Sequence, residues 1–359
     1  MNSPSSRRRR VPLRTAAALA ILLSTAACSA SRGEAAPANI ACASGSVKAQ
    51  GSSAQTNAVN AWIKNYQVSC PDATIAYDSA GSGAGVRAFA DGTGDFAGSD
   101  SALTAETLPG VTARCGGPVV HLPMVVGPIA LAFNVAGVSS LLLTPAVIAQ
   151  IFRGTITTWN DKAIGALNPG VLLPATPIRT VHRSDSSGTT DNFTKFLAAT
   201  AGADWQFGSD ANWPAPGGSA QKGSNRVVAA IERTDGAIGY VESSYASFHN
   251  LPTARVRNAA GQYPALTDAA AAEMVAGARV TGAGGDLQLA IDYRNATPGA
   301  YPIVLVTYEI LCRAHTSALA KSFLTYASSP AGQQAATDLG YAPLPEGLRT
   351  KVAAAVAAL

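Results

Sequence analysis

Val181-His182-Arg183-Ser184-Asp185-Ser186-Ser187-Gly188-Thr189-Thr190 is the stretch on which the reading of this chain turns. The β-branched residues at its start predict a strand over 178–182. The hydroxyl- and glycine-rich turn after them predicts a helix start, with the helix over 191–200. The same order of strand, Gly/Ser turn and helix occurs twice more. Gly51-Ser52-Ser53-Ala54 lies between a predicted strand at 46–50 and a helix at 57–66. Gly81-Ser82-Gly83-Ala84-Gly85 lies between a strand at 74–77 and a short helix at 85–90. Further strands are predicted at 95–97, 124–134, 237–241 and 303–311. Further helices are predicted at 145–152, 227–234, 316–327 and 346–358. Strands alternating with helices place the chain in the α/β class with parallel layers. The two long apolar strands, near residues 130 and 306, are far apart in sequence. They are expected to cross between two lobes, with both ends of the chain sharing one lobe.

Each of the three turns presents unpaired backbone N–H groups at a helix N-terminus, where the dipole favours an anion, and adds hydroxyl donors. One such turn is an ordinary cap. Three in one chain, joined by an arginine, describe a site. Arg183 stands at a strand's C-terminal end, four residues before Ser187, and open α/β sheets bind ligands beyond those ends. A guanidinium grips a tetrahedral oxyanion through two parallel hydrogen bonds, and Asp185 is placed to order it. Asp100, in Asp95-Phe96-Ala97-Gly98-Ser99-Asp100, is a carboxylate where an anion is expected. It fits a ligand that carries its own proton, because an ionised carboxylate only accepts hydrogen bonds. It would accept the P–OH of hydrogen phosphate and repel unprotonated sulfate.

The chain has 359 residues, 47% hydrophobic and 13% charged, enough apolar material for about two domains. Its net charge of +4 comes from the start of the chain. Residues 1–27 carry five arginines and no acid; without them 21 basic residues face 22 acidic ones. A nucleic-acid surface is therefore not expected. The Arg7–Arg10 run, the apolar stretch 16–23 and the small residues before Cys28 read as an export signal followed by a lipidated cysteine and a tether over 28–43. Four cysteines remain, an even number in an exported chain, and three pairings are possible. Cys42 and Cys70 each precede a predicted strand, and adjacent parallel strands would bring them together. That favours Cys42–Cys70 and Cys115–Cys312.

Enzyme signatures are missing from the sequence. There is no Gly-x-Ser-x-Gly elbow, no Gly-Lys dipeptide for a phosphate-binding loop, and no two of the four histidines at helical ligand spacing. Neither a cofactor nor a metal is expected. The alternatives kept open are a binder of another oxyanion, such as sulfate or molybdate, and a phosphoester-hydrolysing enzyme on the same scaffold.

The segments Gly51-Ser52-Ser53, Ala80 to Val86, Asp95 to Asp100 and Arg183 to Thr190 resemble the binding segments of the bacterial high-affinity phosphate ABC transporter's substrate-binding protein, the PstS family. Supporting stretches are Trp159-Asn160-Asp161, Gly236 to Glu242 and Gly340 to Pro345, so the likeness runs from about Val47 to Ala355. The resemblance implies a type II periplasmic-binding-protein-like fold, two α/β lobes joined by crossover strands. The first lobe would be 44–133 with 301–359 and the second 134–300. It implies one dehydrated phosphate held by Ser53, Ala54, Ser82, Asp100, Arg183, Ser187, Gly188 and Thr189, with Asp185 ordering Arg183. It also implies a monomer anchored by lipid at Cys28 to the outer face of the cytoplasmic membrane, delivering phosphate to permease and ATPase subunits. Two departures stand out. Ser53-Ala54-Gln55 replaces the family's usual Thr-Phe-Pro, and His182 replaces a second arginine, which weakens the local positive charge if it faces the site and leaves a plain solvated strand-end residue if it does not.

Overall fold

The chain builds its core sheet from short strands that are apolar on alternate or on both faces. Numbered along the chain, the main-sheet strands are β1 (Gly45–Gly51), β2 (Ala73–Asp78), β3 (Phe96–Ser99), β4 (Val119–Asn134), β5 (Arg179–Arg183), β6 (Ser219–Gln221), β7 (Ala237–Glu242) and β8 (Val304–Cys312). The structure, a computed structural model, describes residues 40–359. The expected leader and the lipidated Cys28 lie outside the described residues. Among the described residues no helix is long and apolar enough to cross a membrane.

The eight strands lie side by side in the order β2-β1-β3-β8-β4-β7-β5-β6. β1 pairs parallel with β2 and β3, and β5 pairs parallel with β6 and β7. The two parallel groups are joined through an antiparallel centre. β8 pairs with β3 on one side and with β4 on the other. β4 has 16 residues, of which only the two end positions are not fully buried. Its first part, from Val119 to Pro128, pairs with β8, and its last part, Ile129 to Asn134, pairs with β7. One strand therefore belongs to both halves, as expected for a crossover, and the fold is the two-lobed one. Buried on both faces, such strands read as continuous apolar runs, which is why β4 and β8 are visible in the sequence.

Four helices position the turns: α1 (Thr56–Ser69), α2 (Ser82–Ala90), α3 (Gly188–Thr200) and α4 (Gly223–Glu232). Three of them start three or four residues earlier than the sequence predicts: α2 at 82 rather than 85, α3 at 188 rather than 191, and α4 at 223 rather than 227. Most of the residues they gain are Gly, Ser, Thr and Asn, weak helix formers that a propensity reading assigns to the turn, with Ala84 and Arg226 beside them. The sequence also misses the helices Leu108–Cys115, Ser243–Phe248, Asp268–Ala276 and Pro330–Thr337. Each half has its own aromatic centre. Tyr66 and Phe323 meet edge-on at 5.8 Å in the first, and Phe193 stacks on Tyr240 at 4.5 Å in the second.

Both expected disulfides are present. Cys42–Cys70 has its Cα atoms 5.4 Å apart and ties the chain ahead of β1 to the end of α1; Cys115–Cys312, at 5.1 Å, ties the helix before β4 to the end of β8. Their sequence separations are 28 and 197 residues. A longer closed loop restrains the unfolded chain more. Replacing Cys115 and Cys312 together by Ser is expected to cost ~2–4 kcal/mol in urea unfolding, about 1–2 kcal/mol more than replacing Cys42 and Cys70.

Candidate functional site

Five chain segments leave the C-terminal ends of parallel strands and meet at the seam between the halves. From the first half come residues 52–54 after β1, 81–82 after β2 and Asp100 after β3. From the second come 183–189 after β5 and 223–224 after β6.

Arg183 is only 3% exposed. Its Nε donates to Asp185 Oδ1 at 2.8 Å and its Nη2 to Asp185 Oδ2 at 2.5 Å. The Gly223 amide adds a third bond to Asp185 Oδ1 at 3.0 Å. Burial pushes the Asp185 carboxyl up, but the hydrogen bonds and charge of Arg183 outweigh it and hold the group below the usual carboxylate range. The result is a fixed guanidinium whose other N–H groups have no acceptor among the described residues.

Asp100 is buried to the same degree. Its Oδ1 accepts from Thr307 Oγ1 at 2.8 Å and its Oδ2 from Thr189 Oγ1 at 3.2 Å. Burial raises its pKa, opposed by the Ser52 and Thr307 hydroxyls, the Arg183 charge and Thr189. A carboxyl in this state favours a neighbour that brings a proton.

Around this pair the predicted turns interlock. Ser82 Oγ accepts both the Asp100 and Gly188 amides at 3.2 Å, which leaves its own O–H to donate. Gly188 cannot carry a side chain here, because a Cβ would lie 2.5 Å from Asp100 Cβ and 2.8 Å from Ser82 Oγ. Ser187 caps α3, accepting the Thr190 amide at 3.2 Å, while its own amide donates to the Ala211 carbonyl at 2.8 Å. Ser53 Oγ accepts the Ser224 amide at 3.1 Å and pairs with Ser224 Oγ at 3.0 Å. The Ala54 amide donates to Ser52 Oγ at 3.0 Å. All eight residues expected at the site, with Asp185, thus lie in one buried or half-buried network that spans both halves.

The network also contains residues the sequence reading passed over. Ser224 opens α4 after Gly223, the same Gly-Ser grammar as the other turns, hidden because the helix was expected to begin later. Thr307 is a lone hydroxyl inside an apolar strand and carries no sequence signal. Tyr240 accepts the Arg183 amide at 3.2 Å and pairs with Thr190 Oγ1 at 2.6 Å; burial pushes its phenol up to about 12. His182 is not a solvated strand-end residue; it is buried and stacked on Trp213 with ring centroids 5.0 Å apart.

A family model described as a PBP superfamily domain matches residues 36–331. "Phosphate-binding protein PstS 3" of Mycobacterium leprae (strain TN) is 41% identical over 320 residues, covering 87% of this chain and 86% of that protein. The chain belongs to the PstS family. Another member, "Phosphate-binding protein PstS 2" of Mycobacterium tuberculosis, is 43% identical over 318 residues, with 86% of each chain covered. Among solved structures, a high affinity periplasmic phosphate-binding protein bound with phosphate is 25% identical. It superposes with a TM-score of 0.69 over 86% of this PstS-family chain and 93% of its own.

Beside the turns, Glu242 at the end of β7 is fully buried. Its carboxyl accepts from the Ser243 hydroxyl at 2.9 Å and the Ser244 amide at 3.1 Å. Ser244 Oγ in turn accepts from Asn57 Nδ2 of α1 at 2.8 Å, across the seam. Burial raises the Glu242 pKa from 4.5 to about 7, against the pull of these hydrogen bonds. Between those values the folded protein holds a proton that the unfolded chain releases. Stability from this group is therefore full below about pH 4.5 and lost as the pH rises through 7. Glu242→Gln removes the dependence: relative to the unmodified protein it should gain on the order of 3 kcal/mol between pH 4.5 and 8. Thermal unfolding of both proteins at several pH values measures the difference.

Proposed function

We propose that this chain binds one inorganic phosphate, as hydrogen phosphate, between its two lobes and hands it to a membrane permease as the substrate-binding component of an ABC importer. The arrangement that carries this reading is Asp100. A buried carboxylate sits with Arg183, held by Asp185, among hydroxyl and amide donors. That set suits a tetrahedral anion which is itself a hydrogen-bond donor.

In this reading Arg183 supplies the ion pair. Ser82 donates its hydroxyl, Ser53 adds a hydroxyl, and Ala54, Ser187, Gly188 and Thr189 contribute from their turns. Asp100 accepts the phosphate proton. The first lobe is 44–133 with 301–359 and the second 134–300, with β4 and β8 as the crossovers. The bonds between Ser53 and Ser224, Gly188 and Ser82, and Thr189 and Asp100 join the lobes. They are contacts that a closed state has and an open one lacks, so a ligand between the lobes shifts the population toward closure. Binding and release need no covalent chemistry, and the chain is read as a carrier rather than an enzyme. The leader and Cys28 are read as export and lipid-anchoring signals that hold a monomer outside the cytoplasmic membrane.

Arg183→Ala removes the charge-assisted bonds and leaves Asp185 unpaired; phosphate affinity should fall by about a hundredfold or more. Unchanged affinity in a calorimetric titration removes Arg183 from the site. Asp100→Asn presents a donor where phosphate needs an acceptor, so phosphate binding should weaken while sulfate, rejected before, gains measurable affinity. Titrating both anions into the variant decides this, and undiminished rejection of sulfate counts against the proton-acceptor role.

A further inference from the structure

Behind the anion site lies a second carboxyl that the reading above does not use. Glu309 of β8 pairs with Gly98 of β3 and is 1% exposed. Among the described residues neither of its carboxyl oxygens has a hydrogen-bond partner, and neither has Oε1 of the fully buried Gln55. Gly98 makes the room. A Cβ on it would lie 2.2 Å from Gln55 Nε2 and 2.4 Å from Tyr77 Oη, so these two side chains occupy the space over Gly98, on the face that a strand pair shares with Glu309.

Gln55 Nε2 donates to Tyr77 Oη at 2.9 Å, and Tyr77 Oη donates to the Ser52 carbonyl at 2.9 Å. Ser52 Oγ in turn holds the Ala54 amide. A chain of hydrogen bonds therefore runs from beside Glu309 to the first turn of the anion site. If Glu309 is ionised, its two oxygens and Gln55 Oε1 are three buried acceptors without a donor, a costly state. One proton resolves it. A protonated carboxyl would donate its O–H to Gln55 Oε1 and accept from the second Gln55 N–H, while the first keeps Tyr77.

The titratable groups acting on this carboxyl are Asp100 from the end of β3 and Tyr77 from β2, with Tyr245 beyond Tyr77. No Lys, Arg or His forms an ion pair with it among the described residues. Burial, with the charge of Asp100 adding and Gln55 opposing, holds Glu309 well above the usual carboxylate range. We propose that Glu309 is a positioning residue of the anion site: a neutral carboxylic acid locked to the Gln55 amide, fixing the 52–54 turn through Tyr77 and adding no negative charge beside Asp100. This rests on the phosphate reading.

The test uses Glu309→Leu and Glu309→Gln. The glutamine can form the same cyclic pair with Gln55; leucine cannot. Phosphate affinity by calorimetry at neutral pH should fall about tenfold or more in Glu309→Leu and return most of the way in Glu309→Gln. The infrared spectrum should show a protonated-carboxyl C=O band that both variants lose. Exchange of the Ala54 amide hydrogen, followed without phosphate, should quicken in Glu309→Leu and be restored by glutamine. Tighter phosphate binding in both variants, no band lost, or unaltered Ala54 exchange overturns the proposal. If the unmodified protein binds no phosphate, the phosphate reading fails, while the infrared band and the exchange rate still decide the state of Glu309 and its hold on the turn.

Discussion

A negatively charged side chain buried at a seam has to be answered from both sides, and Asp100 imposes that demand on this molecule. Its two oxygens are met by Thr307 from the central strand β8 and by Thr189 from the second half. Its backbone is met by Ser82 from the first half and by Asn192, whose Nδ2 donates to its carbonyl at 2.7 Å. Thr189 and Asn192 come from the second half, so those two contacts exist only where the halves meet at the ends of the parallel strands. The geometry of the site and the packing of the fold are in this sense one constraint.

Charge is distributed around that constraint in layers. Arg183 is buried but never alone, because Asp185 takes two of its N–H groups and the Gly223 amide steadies Asp185. A buried cation with one carboxylate already attached cannot overwhelm the site, yet it keeps donors for a ligand. Farther back, Glu242 and Glu309 are pushed toward their neutral forms by burial. The turns around Arg183 are thus accompanied by acids of graded character: one ion-paired, one raised by burial, two driven toward protonation. Aligned backbone amides at the starts of α2 and α3 supply positive potential without adding any further charge to bury.

The lobes share β4, and this limits how they can move. A strand that pairs with β8 over one part of its length and with β7 over the next cannot let the halves separate freely. Pro128 marks the change of partner and has no N–H to give to either ladder.

Local patterning by itself determined the alternation of strands and helices, the two long apolar strands, the Gly/Ser/Thr turns, Arg183 with Asp185, and the even set of cysteines. Each is a statement about neighbours in sequence, where period, capping chemistry and spacing are expressed directly. The tertiary structure alone decided which hydroxyl meets which carboxylate. Ser224 and Thr307 come to the site from distant segments, and His182 is buried because Trp213 covers it. The acid–amide neighbourhood of Glu309 and Gln55 exists because Gly98, on a third segment, leaves a gap for it. Burial and pairing of polar groups are set by what lies across the fold, and no window of local sequence holds that information.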